Sequence, residues 1–139
     1  MNTIQKSLRI PQETALEIEK ISQDTGRDFS AVTKDLLAEA IKTRRCPGIV
    51  FSDGVSGRRA KVAGSGIDVW EIVATYKSLD QNIKRLETAY HWLTQQQVKS
   101  AIGYYFTYRK EIDELIARNN SWTSQSVLDR YPALMGDGM

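Results

Sequence analysis

Cysteine and histidine are almost absent from this 139-residue sequence: Cys46 and His91 are the only ones. A lone cysteine cannot close a disulfide within the chain, so the fold has to rest on packing, which suits a reducing cytoplasm. One Cys and one His cannot by themselves build a typical zinc site. Long apolar runs are also missing, and none approaches the roughly 20 residues that would span a bilayer. Met1-Asn2-Thr3-Ile4-Gln5-Lys6 does not lead into a signal-peptide core, so neither membrane insertion nor export is expected. An excess of one charge is lacking as well. Nineteen Lys and Arg stand against 17 Asp and Glu. Residues 1–45 hold eight basic and seven acidic side chains, and residues 46–119 hold ten and eight. Such a balance excludes a polybasic binder. Any nucleic-acid contact has to come from a few placed side chains, helped by dimerisation.

Among the residues present, the clearest pattern lies at the start. In Thr3-Ile4-Gln5-Lys6-Ser7-Leu8-Arg9-Ile10, Ile4, Leu8 and Ile10 share one side with Lys6, while Gln5, Ser7 and Arg9 share the other. This period of two predicts a strand with one wet face, ended by Pro11. From Gln12 the period becomes helical through Ala15, Ile18 and Ile21, with Leu16 beside them, and Gly26 is placed to stop the helix. Ser30 is the expected cap of a second helix carrying Val32, Leu36, Leu37, Ala40 and Ile41. Cys46-Pro47-Gly48 is the expected boundary, giving units of 1–45, 46–118 and a tail of 119–139.

One strand and two helices in 45 residues cannot close a core, and a single strand leaves both edges unpaired. Pairing with the same strand of a second chain solves both problems. The resulting antiparallel ribbon presents Gln5, Ser7 and Arg9 twice, and a two-stranded ribbon fits the major groove. Arg suits guanine and Gln suits adenine. Ser30 and Lys34, at the start of the second helix, are candidates to hold a phosphate. Ile4 to Pro11, with Gly26 and Phe29-Ser30, resembles the ribbon-helix-helix repressor family over about a third of the chain.

Past the boundary, Ile49-Val50-Phe51 and Arg58 to Ala63 read as two short strands around an irregular, turn-rich loop. Gly64-Ser65-Gly66 reads as a tight turn. Asp68 with Glu71 resembles a capping box before Val69, Trp70, Ile72, Val73 and Tyr76, and Asp80 is the expected cap of a short helix with Ile83 and Leu86. Thr94 with Gln97 is a second capping box, opening one long helix through Val98, Ala101, Ile102, Tyr105, Tyr108, Ile112 and Ile116. Catalysis finds no support in these residues. His91 stands among Tyr90, Trp92 and Leu93 with no nucleophile paired to it, and reads as a packed or partly exposed side chain. Glu111, Asp113 and Glu114 read as a solvated charged face beside Arg109, Lys110 and Arg118. Arg58, Arg59 and Lys61 read equally as phosphate contacts or a solvated loop. The aromatics Trp70, Tyr76, Trp92, Tyr105 and Tyr108 are expected to serve mainly as core.

Ala63 to Val73, with Ile83, His91-Trp92-Leu93-Thr94, Val98 and Ala101 to Tyr105, resembles the family called domain of unknown function 433, although that family usually carries a basic residue at the position of Gly66 and a proline at that of Asp68. The resemblance implies a compact winged helix-turn-helix fold. Behind a DNA-binding arm, such a domain resembles VapB-like antitoxins, which repress their own operon and silence a PIN-domain ribonuclease. The expected architecture is therefore mostly α with short β, a ribbon-helix-helix arm followed by a small winged helix-turn-helix-like domain. The expected function is that of a dimeric or higher-order antitoxin and autorepressor, with operator DNA and a PIN-domain toxin as partners and no enzyme activity, metal or cofactor. Trp122, Leu128, Arg130, Tyr131 and Leu134 of the tail are the candidate toxin contacts. A free-standing repressor, or a dimerisation or scaffold module without DNA binding, remains the alternative.

Overall fold

The structure, a computed structural model, describes residues 2–54 and 57–121. Among them the chain is mostly helical, with six helices and one two-stranded antiparallel sheet. No helix among the described residues is long and apolar enough to cross a membrane. The chain divides into two compact units, Met1–Lys42 and Thr43–Met139, so the division falls inside the second helix rather than at Cys46.

In the first unit, α1 (Gln12–Thr25) follows Pro11, whose carbonyl accepts the Ala15 N–H. Gly26 ends it with φ of 70°, a left-handed conformation that costs glycine little. The second helix, α2 (Phe29–Arg45), starts earlier than expected. Its cap is Asp28, whose carboxylate accepts the Ala31 N–H at 2.7 Å, and Ser30 lies inside the first turn. Arg27 and Asp35 form an ion pair beside this start. Residues 2–11 belong to no helix and pair with no strand within the single chain. The strand read from their alternation needs a ladder partner, and the described residues of one chain supply none.

The second unit has a closed core. β1 (Ile49–Gly54) pairs antiparallel with β2 (Gly57–Val62), in a register running from Ile49 opposite Val62 to Gly54 opposite Gly57. The ladder thus extends through Ser52-Asp53-Gly54, which the turn-forming residues suggested as irregular loop. Ile49, Ala60 and Val62 turn into the core. α3 (Val69–Ser78) buries Val69, Ile72, Val73 and Tyr76, a stripe at helical spacing. The chain then turns through Asp80 and Gln81, both left-handed, with φ of 54° and 57°. The short α4 (Ile83–Ala89) is capped by Asn82, which accepts the Arg85 N–H at 3.0 Å, and not by Asp80. α5 (Gln95–Thr107) opens on the full capping box of Thr94 and Gln97.

The expected long helix is two helices. Tyr108 leaves helical geometry at φ −127° and ψ 54°, and α6 (Arg109–Ser121) begins after it. Aromatic side chains tie the two pieces together. Tyr104 is fully buried and its hydroxyl donates to Glu111 at 2.7 Å, while the Tyr105 hydroxyl donates to Asp113 at 2.9 Å. Burial and the neighbouring Glu111 carboxylate push the Tyr104 phenol well above its ordinary range, so it stays a neutral donor. Asp113 also meets Lys77 of α3 at 2.7 Å. Glu111 and Asp113 therefore anchor α6 instead of forming a merely solvated face.

Candidate nucleic-acid interface

The first unit leaves its apolar side chains uncovered. Of eleven Ile, Leu, Val and Phe residues between Asn2 and Lys42, nine are exposed, and only Ile18 and Val32 are buried. Ile4 and Leu8 are 79% and 75% exposed, values normal for an unfolded segment but not for the inner face of a strand. Leu8 and Ile10 line a groove of about 510 Å³ with Ile18 and Ile21 of α1 and Phe29 and Leu36 of α2. This apolar groove, rimmed by Thr14, Glu17 and Thr33, lies open among exposed apolar side chains and is not a closed core. Covering each large aliphatic side chain would stabilise an assembly by about 1.5–3 kcal/mol.

Gln5, Ser7 and Arg9 are exposed, as are Ser30 and Lys34. Alternation places the first three together only if the segment is held as a strand. At the start of α2, Asp28 already occupies the Ala31 N–H, leaving those of Phe29 and Ser30 as first-turn donors. Its carboxylate also opposes the approach of a phosphate, so this helix start is a weaker anion site than a serine cap would give. Lys34 lies one turn beyond Ser30 on the same face. The candidate toxin contacts Trp122, Leu128, Arg130, Tyr131 and Leu134 lie outside the described residues.

In the second unit, the sequence reading missed the role of Asp68. It precedes α3 but makes no side-chain cap there. Instead its carboxylate, almost out of solvent, takes Lys61 at 2.8 Å, Arg59 at 3.3 Å and the Trp70 indole N–H at 2.9 Å. Burial pushes this carboxyl up, yet the three donors outweigh it and hold it below the ordinary carboxylate range. Arg59 and Lys61 are thus committed to clamping the hairpin to α3. The spacing of two between them, on the strand face opposite Ala60 and Val62, was the available signal. Arg58, by contrast, turns to Asp53 and the Phe51 carbonyl within its own hairpin. His91 and Trp92 form an exposed edge-to-face pair with ring centroids 5.1 Å apart. Trp92, 60% exposed, is therefore not a core residue, whereas Tyr104 is. Among the described residues no group of three His, Cys, Asp or Glu side chains gathers as a metal site.

No family model, curated protein or solved structure matches this chain.

Proposed function

We propose that this chain is a dimeric DNA-binding repressor whose first unit pairs with that of a second copy and reads operator DNA through Gln5, Ser7 and Arg9. One observation carries the reading: a segment of alternating apolar and polar residues lies strandless beside an uncovered apolar groove. A second copy would answer both deficits at once, supplying the ladder partner for residues 3–10 and the cover for Leu8, Ile10, Phe29 and Leu36. The polar side chains left facing outward, two neutral hydrogen-bonding groups and one guanidinium, suit base edges in a major groove. Gel shifts on an operator selected from random-sequence duplexes test this. Arg9→Ala is expected to cost about 1–3 kcal/mol on the operator and little on random DNA. Lys34→Ala should weaken both alike and flatten the salt dependence. Equal losses on both duplexes for Arg9→Ala would mean that the ribbon does not read bases.

The resemblance to VapB-like antitoxins extends the proposal to a second partner, a PIN-domain ribonuclease bound by the tail. Arg130 offers a guanidinium that can pair with two carboxylate oxygens at once. Deleting residues 121–139 is expected to weaken inhibition of the ribonuclease while leaving operator binding intact, with Arg130→Glu doing most of the same damage. Titrating ribonuclease activity with the intact and altered chains measures this, and undiminished inhibition by the truncated chain would move the contact elsewhere.

A further inference from the structure

A second concave surface lies in the body, where the end of α2 and the start of the hairpin face α5. It encloses about 310 Å³ and is lined by Arg45, Pro47, Gln96, Lys99, Ser100 and Gly103, with Cys46, Tyr104 and Thr107 completing it. No carboxylate lines it, although the body as a whole carries nearly as many acidic as basic residues. Neither Arg45 nor Lys99 has an ion-pair partner among the described residues, whereas Arg59, Lys61 and Lys77 all do. The three hydroxyls are already used: Ser100 donates to the Pro47 carbonyl at 3.3 Å, Thr107 to the Gly103 carbonyl at 2.9 Å and Tyr104 to Glu111 at 2.7 Å. The donors left for a ligand are the guanidinium, the ammonium and the Gln96 amide, a set that suits an anion.

Gly103 supplies the independent observation. It lies inside α5, where glycine destabilises a helix by about 1 kcal/mol relative to alanine. Nothing among the described residues requires it. A Cβ built there meets no atom within 4 Å, and its φ is not positive. A side chain is thus absent from the cleft lining for no reason found among the described residues, which is the pattern expected where another backbone comes close.

We propose that this cleft is a DNA-backbone site: the sugar-phosphate chain lies against the bare helix at Gly103, with Arg45 and Lys99 each neutralising one phosphate. The proposal rests on the DNA-binding reading above and adds a contact in the body that the arm does not supply. It predicts sequence-independent binding, because phosphate contacts carry no base information.

The test is fluorescence anisotropy of labelled operator and random duplexes with the full chain across a range of KCl. Gly103→Ala is expected to raise the thermal unfolding midpoint of the body by about 4–8 °C yet weaken binding to both duplexes severalfold. Combined Arg45→Gln and Lys99→Gln should flatten the log–log salt dependence by roughly 1.8 per protomer, the value for two lost phosphate contacts. Lys110→Gln, an exposed charge on α6, serves as the control and should leave the slope nearly unchanged. Gly103→Ala that stabilises without weakening binding overturns the proposal, as does a double variant that behaves like Lys110→Gln. If the double variant loses ribonuclease inhibition and keeps DNA binding, the cleft takes an acidic protein segment and the proposal is equally overturned. Sensitivity to Arg9→Ala with an indifferent cleft leaves the arm reading standing alone. A responsive cleft with an indifferent Arg9 removes the arm reading and keeps this one, and an intact chain that binds neither duplex removes both.

Discussion

If the proposed dimer reads operator DNA, Ser7→Pro is expected to convert it into monomers and to lower operator affinity on the order of a thousandfold, toward the level of non-specific binding. Proline removes a backbone donor and fixes φ in the middle of the segment that has to form the ribbon, and it does so in both chains. The single chain uses residues 2–11 in no helix or strand, so the substitution removes nothing from the fold of one copy. Leu8→Asp reaches the same end by a different route. It places a carboxylate on the apolar side that the proposed dimer would bury, and an unpaired buried charge is strongly disfavoured. Both variants should keep the thermal transition of the body while sedimenting as monomers. A Leu8→Asp chain that still dimerises would mean that this face is not the interface.

Asp68→Ala is the substitution expected to damage the body most among those considered, by about 3 kcal/mol, the low end for breaking a buried ion pair. The low end applies because Lys61 and Arg59 keep 27% and 23% of their side chains in water and can partly recover hydration. Asp68→Asn retains an acceptor for the Trp70 indole and should cost less. Acid separates the charge from the hydrogen bond. The folded carboxyl lies below its ordinary value of 3.8, so its contribution is complete above that pH and is lost as pH falls through the folded value. The gap in unfolding midpoint between the wild type and Asp68→Asn should therefore stay constant near neutrality, begin to narrow below about pH 3.8 and close as pH falls through the folded value. A gap that stays unchanged however far the pH is lowered below 3.8 would show that packing, not the charge, makes Asp68 important. Urea unfolding at a series of pH values reads both effects.

Local signals were legible where one residue type does one job. Gly26 stops α1 where expected, and Thr94 with Gln97 forms the capping box that their spacing of three implied. The same logic failed where two candidate caps compete. Asp28 takes the role read for Ser30, and Asn82 takes that read for Asp80, because a cap is chosen by where the preceding chain turns. Asp80 itself is spent on a left-handed turn that Asp tolerates better than most residues. The break at Tyr108 was hidden for a different reason. Val98, Ala101, Ile102, Tyr105 and Ile112 keep a helical period across it, and neither proline nor glycine marks the spot. The hydroxyls of Tyr104 and Tyr105, which tie α5 to carboxylates of α6, are tertiary features that a one-dimensional period cannot register. Asp68 illustrates the same limit, since a residue placed to cap a helix was instead claimed by donors from a neighbouring strand.

The candidate interface is legible to the opposite degree. Its alternation is plain in residues 3–10, whereas the described residues of one chain offer no partner that would turn it into a ribbon. The claim that a second copy supplies that partner is tested most directly by sedimentation equilibrium of the intact chain against a chain lacking residues 2–11. The intact chain should sediment at twice its 15.7 kDa mass and the shortened one as a single copy. An intact chain that stays monomeric at high micromolar concentration, or a shortened chain that still dimerises, would contradict the account.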